Sequence, residues 1–251
     1  MYTEKVLPIV KEAGLELKKF YGNAGQVKNK GGGASDVVTE LDTKTEKFLA
    51  EKLRKIYPDI DFFGEEFGGN KNAERFWIVD PIDGTAHFIR GMPFCTTMIA
   101  LIENGKPVFS AIYDFVNDKI YYAEKGEGAK MNGEKIFVSK RPLKEAYLSR
   151  EMNIEYKKNL DIYLDLRKRA ILFNTISCGF EFAMTACGKI EGRVSLDPYG
   201  NDYDFPAGAF LVAEAGGKVA NLGKDDYDFR NHNFVAANPI VFEELRNLYG
   251  I

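Results

Sequence analysis

Phe76-Trp77-Ile78-Val79-Asp80-Pro81-Ile82-Asp83-Gly84-Thr85 sets an apolar run directly against two carboxylates, a tight turn and a hydroxyl. The first four residues read as a buried strand. Such a strand ordinarily ends in an uncharged turn, because two carboxylates held about 4 Å apart repel by roughly 4 kcal/mol at an effective dielectric of 20. A divalent cation turns that repulsion into affinity, so the stretch has the layout of a metal-phosphate site. In this reading Asp80 leaves the strand end, Pro81 stops the ladder because it lacks an N–H, and the Ile82 carbonyl faces outward. Asp83 shares the cavity with Asp80. Gly84 permits a close backbone approach, and a helix starting at Thr85 offers N–H groups to phosphate oxygens while the Thr85 hydroxyl orients a water. A plain turn, for which Asp, Pro and Gly are ordinary residues, is the competing reading of the stretch alone.

Two further acidic clusters share that setting. Ile60-Asp61-Phe62-Phe63 reads as a short strand, and Gly64-Glu65-Glu66-Phe67-Gly68-Gly69 follows it with adjacent glutamates between glycines. Asp202-Tyr203-Asp204-Phe205-Pro206-Ala207-Gly208 opens a helix that runs through Phe210, Leu211, Ala213 and Glu214 until Gly216-Gly217 end it. A carboxylate at a helix start either caps or binds metal, and for Asp204 alone the cap is the simpler expectation.

Taken together, Gly64-Glu65-Glu66, Trp77 through Thr85 and Tyr203-Asp204-Phe205-Pro206-Ala207-Gly208 resemble the motifs of the inositol monophosphatase family of magnesium-dependent, lithium-sensitive sugar phosphatases. The resemblance extends to Asp36-Val37-Val38-Thr39-Glu40-Leu41-Asp42, Gly126-Glu127-Gly128-Ala129 with Asn132-Gly133, and Glu214-Ala215-Gly216-Gly217, so it spans most of the chain in order. It implies that Glu65, Asp80 and the carbonyl of Ile82 hold a first metal, and that Asp80, Asp83 and Asp204 hold a second. A third, weaker ion near Glu65 is implied as well, with Thr85 and Asp42 activating the attacking water and the Gly84 and Thr85 backbone holding the phosphate. Two or three Mg²⁺ ions per site, with Mn²⁺ as a substitute, suit these hard oxygen ligands. The implied fold is α+β, an αβαβα layered sandwich. Residues 1–251 would form a single catalytic unit, with the metal and phosphate motifs in 1–140 and the substrate side and last ligand in 141–251. Family precedent also implies a homodimer.

Substrate contacts are harder to carry over. Where relatives have a Gly-Ser/Thr-Ala-Ala turn, this chain is read as Gly179-Phe180-Glu181-Phe182, with Asp197 as the acid upstream of Asp204. Gly179, Glu181 and Asp197, together with Asp83, are therefore the expected sugar contacts. The bulky and charged replacements leave an inositol phosphate, fructose 1,6-bisphosphate, 3'-phosphoadenosine 5'-phosphate and other small phosphate monoesters open. His87 stands where the family usually has Asn. Lys30, just before the glycine run 31–33, is placed near the site by resemblance.

The rest of the sequence narrows the class. Cys187 and Arg193 satisfy a Cys-x5-Arg spacing, but residues 182–187 read as a helix ending at Gly188, which offers no cradle for a thiolate. Histidine occurs only at His87 and His232, too few for a histidine-rich metal centre. The 251 residues, 45% of them hydrophobic, suffice for a large core, and a net charge of -3 gives no general attraction to nucleic acid or anionic membrane. Cys95, Cys178 and Cys187 give no disulfide framework, and the charged N-terminus is neither signal peptide nor membrane span, so a cytoplasmic enzyme is expected. A binding protein on the same fold, acting on RNA or RNA polymerase as some relatives do, is the alternative of another class.

Helical spacing of Val6, Ile9, Val10, Ala13, Leu17 and Phe20, and of Leu41, Thr45, Phe48, Leu49, Leu53 and Ile56, predicts two core-facing helices. Strands are expected at 94–102, 107–115, 119–123 and 136–138, with a hairpin turn at Glu103-Asn104-Gly105-Lys106. Helices are expected near 159–168, 179–186 and from Asn238-Pro239 to Tyr249.

Overall fold

The computed structural model of the chain describes residues 1–25, 27–29 and 37–250. Lys30 and the glycines beside it lie outside the described residues. Among the described residues the helices are α1 (Tyr2–Lys18), α2 (Glu40–Ile56), α3 (Thr85–Arg90), α4 (Lys157–Leu166), α5 (Cys178–Ala186), α6 (Pro206–Glu214) and α7 (Pro239–Tyr249). The first strands are β1 (Val27–Asn29), β2 (Val37–Thr39), β3 (Asp61–Gly64), β4 (Gly68–Gly69), β5 (Arg75–Asp83), β6 (Thr96–Glu103), β7 (Lys106–Asp114), β8 (Lys119–Glu124), β9 (Ala129–Met131) and β10 (Glu134–Lys135). The remainder are β11 (Tyr147–Met152), β12 (Ile171–Asn174), β13 (Gly192–Leu196), β14 (Lys218–Asn221) and β15 (Phe234–Ala237).

Strands β3 to β10 make an eight-stranded sheet in the order β10-β9-β8-β7-β6-β5-β3-β4, and β11 to β15 a five-stranded sheet in the order β12-β11-β13-β15-β14. The alternation of β5 sets the layers. Trp77 and Val79 point to one face, where Val10, Leu17, Leu49 and Leu53 of α1 and α2 cover them. Phe76 and Ile78 point to the other, into a core shared with Phe182 of α5, Leu211 of α6 and Phe234 of the small sheet. Leu166 of α4 and Val241 and Leu245 of α7 close the outer face of the small sheet on Leu148, Val194 and Val235. The result is an αβαβα sandwich of the α+β class, in which α5 and α6 form a middle layer and are buried on most sides.

Three local expectations change. Phe20 is 44% exposed, because α1 ends at Lys18 before its stripe reaches that position. Residues 136–138 form no strand: Ile136 and Val138 donate singly to the carbonyls of Ala129 and Ala215. The β5 ladder does not stop at Pro81 but continues to Asp83 through an irregularity. Asn104 and Gly105, both with positive φ, make the β6–β7 turn as Asn-Gly pairs do.

Candidate active site

The irregularity in β5 shapes the site. Asp80 pairs with Met98 and Asp83 with Thr96, so Pro81 and Ile82 together oppose Thr97 alone, which is the two-against-one count of a bulge. Pro81 has no N–H for the ladder to lose, and the Thr97 hydroxyl donates to its carbonyl at 3.0 Å. Gly84 then turns the chain with φ 83°, and a Cβ there would lie 2.5 Å from the Phe94 carbonyl oxygen, so only glycine fits before α3 begins.

A cavity of about 260 Å³ opens at this point, on the seam between the two sheets. Asp80, Ile82, Asp83, Gly84 and Thr85 line it from β5 and α3, Glu65 from the β3–β4 connection, and Asp204 from the loop before α6. Three acidic motifs, the last more than a hundred residues beyond the other two, thus share one space. Asp80 is buried, and its Oδ1 has no hydrogen-bond partner among the described residues. Burial first, and then the charges of Glu65, Asp83 and Asp204, push its carboxyl well above the usual range. Burial also raises Asp204 well above its ordinary value, with the Asn201 N–H opposing and Asp83 and Glu65 reinforcing the shift.

Asp83 is satisfied by the protein. Its Oδ1 accepts from the Cys178 N–H at 3.0 Å, and its Oδ2 from the Gly179 N–H and the Thr96 hydroxyl at 2.9 Å each and from the Ser177 hydroxyl. One carboxylate therefore ties the end of β5 to the start of α5. Asp42 sits behind Thr85, where the Thr85 hydroxyl is shared between Asp42 Oδ1 and the Ile82 carbonyl at 2.9 Å each. The Thr39 N–H and hydroxyl hold the other oxygen of Asp42 at 2.8 and 2.7 Å in a capping box. Burial raises the Asp42 carboxyl in spite of these donors.

Several expectations are corrected. Asp204 does not cap α6: Phe205 is the residue before its first turn, and the Asp204 carboxylate accepts from the Asn201 N–H instead. Glu181 does not reach the cavity; it is fully buried, paired with Arg193 and accepting from the Ile176 N–H. The cavity wall is formed four residues earlier than expected, by Thr175, Ile176, Ser177 and Cys178. Gly179 offers only its N–H, to Asp83, and a Cβ on it would stand 2.3 Å from Thr96 Oγ1. Asp197 lies in a neighbouring cavity with His232 and Asn233, receiving the Asn159 side-chain amide at 2.9 Å. Cys187 caps the C-terminal end of α5, and burial raises its thiol, so the Cys-x5-Arg spacing makes no thiolate cradle.

The sequence reading missed Glu151, Ser177 and Tyr199, all of which line the cavity. Glu151 carried no periodic signal, because β11 is buried on both faces without alternation, and a buried acid needs a partner. That partner, Arg193, is 42 residues away, too far for pattern reading.

The donors fit hard divalent cations. They are oxygens only, and Asp80 presents a buried carboxylate oxygen without a donor, which a cation satisfies and an empty apolar core does not. Among the described residues no three acidic, histidine or cysteine side chains form a finished ion cage. The acids stand apart, as like charges in one low-dielectric space do.

The sequence profile of the inositol monophosphatase family matches residues 3–248. A fructose-1,6-bisphosphatase/inositol-1-monophosphatase of Thermotoga maritima is 29% identical over 95% of this chain and 92% of its own length. The Nus factor SuhB of Escherichia coli is 29% identical over 94% of this chain and 90% of its own. Among solved structures, the extragenic suppressor protein suhB of Bartonella henselae superposes with a TM-score of 0.89 at 29% identity, covering 99% of both chains. With the profile matched from end to end, the chain belongs to the inositol monophosphatase family, a family of generally metal-dependent phosphatases of small phosphate esters.

Proposed function

We propose that the protein is a Mg²⁺-dependent phosphomonoesterase acting on a small sugar or inositol phosphate, with fructose 1,6-bisphosphate and 3'-phosphoadenosine 5'-phosphate as further candidates. The observation that carries this reading is the buried oxygen of Asp80, without a donor among the described residues, in a cavity shared with Glu65, Asp83 and Asp204. Glu65, Asp80 and the Ile82 carbonyl would hold one Mg²⁺, and Asp80, Asp83 and Asp204 a second, with Mn²⁺ able to replace either. Bound there, the ions would neutralise phosphate charge and acidify a water.

The remaining work falls to the chain. The Thr85 hydroxyl, already donating to Asp42 Oδ1, keeps lone pairs to accept a proton from water and passes its own to Asp42. Burial raises Asp42 and so favours its role as the proton's destination. The backbone of Gly84 and Thr85 at the start of α3 holds the phosphate oxygens. The new oxygen–phosphorus bond forms as the ester bond breaks opposite it, and the leaving oxygen takes its proton from solvent. No covalent enzyme intermediate is needed.

Release of inorganic phosphate from a panel of these esters, with Mg²⁺, Mn²⁺ or EDTA, tests the reading. Turnover is expected with either ion and none with EDTA. Persistent turnover in metal-free buffer would overturn it. The relatives named Nus factor SuhB motivate a second reading, an RNA or RNA polymerase partner, alone or beside catalysis. Binding of RNA that weakens steeply with salt would favour it. The basic run Arg167-Lys168-Arg169 is a poor footprint for that, since Arg169 is held by Asp165 at 2.9 Å.

A further inference from the structure

Behind the acidic cavity lies a buried cation that the proposed chemistry does not use. Arg193, in the middle of β13, is wholly buried, its guanidinium 5.5 and 5.6 Å from the rings of Phe182 and Phe205. One Nη donates to Glu181 and the other to Glu151, while the Thr175 and Ser195 hydroxyls receive further donors at 3.1 and 3.2 Å. The two glutamates differ in direction. Glu181 belongs to α5, does not itself line the cavity, and accepts the N–H of Ile176 from behind the wall. Glu151 lines the cavity, and its Oε1 accepts from the N–H groups of Tyr199 and Gly200 at 3.0 and 3.1 Å.

Those two amides belong to the connection that carries the chain from β13 to Asp204. It leaves the sheet at Asp197 with φ 47° and has neither helix nor strand until α6 begins at Pro206. Its backbone also packs tightly on the acid it delivers: a Cβ at Gly200 would stand 3.0 Å from Asp204 Oδ2 and 2.4 Å from the Phe205 ring. Gly200 therefore packs against the Asp204 carboxylate, and the N–H of the next residue, Asn201, donates to it.

We propose that Arg193, acting through Glu151, is a positioning residue that sets Asp204 as an ion ligand. This rests on the reading of the cavity as an ion site. A planar fork suits the task, because it bridges two carboxylates at once and holds each in a fixed direction, which a lysine ammonium on a flexible stem does not. Groups that orient a metal ligand typically govern affinity by about 10- to 100-fold.

Isothermal titration of EDTA-stripped full-length protein with Mn²⁺ alone tests the assignment. Arg193→Lys and Glu151→Asp keep every charge but lose the fork or the reach, and each is expected to weaken Mn²⁺ binding about tenfold. Glu181→Gln takes the other carboxylate from the same arginine, keeps an oxygen for the Ile176 N–H and leaves the contacts of Glu151 with Tyr199 and Gly200 in place. It is expected to lower the melting temperature yet leave Mn²⁺ binding within about twofold of the parent, below that range. If Glu181→Gln weakens binding as much as the other two, the effect is general destabilisation and the assignment falls. It falls equally if both charge-conserving variants bind as the parent does. Should Arg193→Lys not fold, as judged by circular dichroism, Glu151→Asp alone decides. A parent that binds no Mn²⁺ refutes the ion site itself, an outcome distinct from a parent that binds and variants that match it.

Discussion

Two buried acid centres share the middle of this fold, one balanced and one not. Glu181 and Glu151 flank Arg193, and although burial raises the Glu181 carboxyl, the arginine charge is the next largest influence and opposes that rise. For Asp80, burial is again first, but each neighbouring charge, from Glu65, Asp83, Asp204 and Asp42, drives the carboxyl further the same way. The balanced centre is explained by the fold that surrounds it. The unbalanced one is a cost to the fold alone, which a bound cation would remove.

The strongest way to break that contrast is to neutralise the unbalanced side. Asp80→Asn is expected to lower kcat on the order of 10⁴-fold, about 5.5 kcal/mol, because it removes the carboxylate common to both proposed ions. The same change should raise the melting temperature of EDTA-treated protein, by roughly 2 to 4 °C for each kcal/mol of burial cost relieved. A variant that loses activity and also melts lower without metal would mean that Asp80 is compensated within the fold. On the balanced side the sign reverses. Arg193→Met leaves Glu151 and Glu181 buried without a counter-charge and should cost about 3 to 5 kcal/mol in chemical denaturation. Adding Glu151→Gln and Glu181→Gln should recover most of that, since the amides carry no charge yet keep an oxygen for the Tyr199, Gly200 and Ile176 N–H groups. If the triple variant stays as unstable as Arg193→Met, the cation does more than balance charge.

These two centres were unequally legible in the sequence. Asp80, Asp83 and Glu65 were readable because each comes at the end of an apolar run, while the layer order was implied by the family resemblance, with α1 and α2 legible from their helical periods. The balanced centre was invisible as a unit, since Glu151, Glu181 and Arg193 come from β11, α5 and β13 and meet only in three dimensions. The same blindness misplaced Glu181 as a sugar contact: its neighbours in the chain suggested a turn, while its partner lay on another strand. The cap reading of Asp204 taken alone failed in the other direction. A carboxylate before a proline-led helix is a sound cap signal, but the chain turns one residue later and frees it for the cavity. Pro81 misled likewise, because a bulge accommodates a missing N–H that a regular ladder does not.

His87 offers the finest measure of the contrast, because it is a base in the lining of the acid cavity. Its ring packs edge-on to Phe94, and its Nδ1 is buried without a hydrogen-bond partner among the described residues. Two influences compete: burial lowers its pKa below the ordinary 6.5, while the Asp83 charge raises it, and burial prevails. The folded state then binds fewer protons than the unfolded chain between the lowered value and 6.5, so stability rises with pH across that window. The contribution is complete above 6.5 and is lost as pH falls through the folded value. Denaturation midpoints at pH about 7.5 and 5 on EDTA-treated protein should show the parent losing more stability than His87→Asn on acidification, by less than about 1 kcal/mol. Mn²⁺ should widen that difference, since cations near Asp83 cancel the charge that favours an imidazolium. Were the parent instead to gain on the variant as pH falls, the acid field would outweigh burial at α3. The cavity would then hold more ionised carboxylate than a space shaped mainly by desolvation allows.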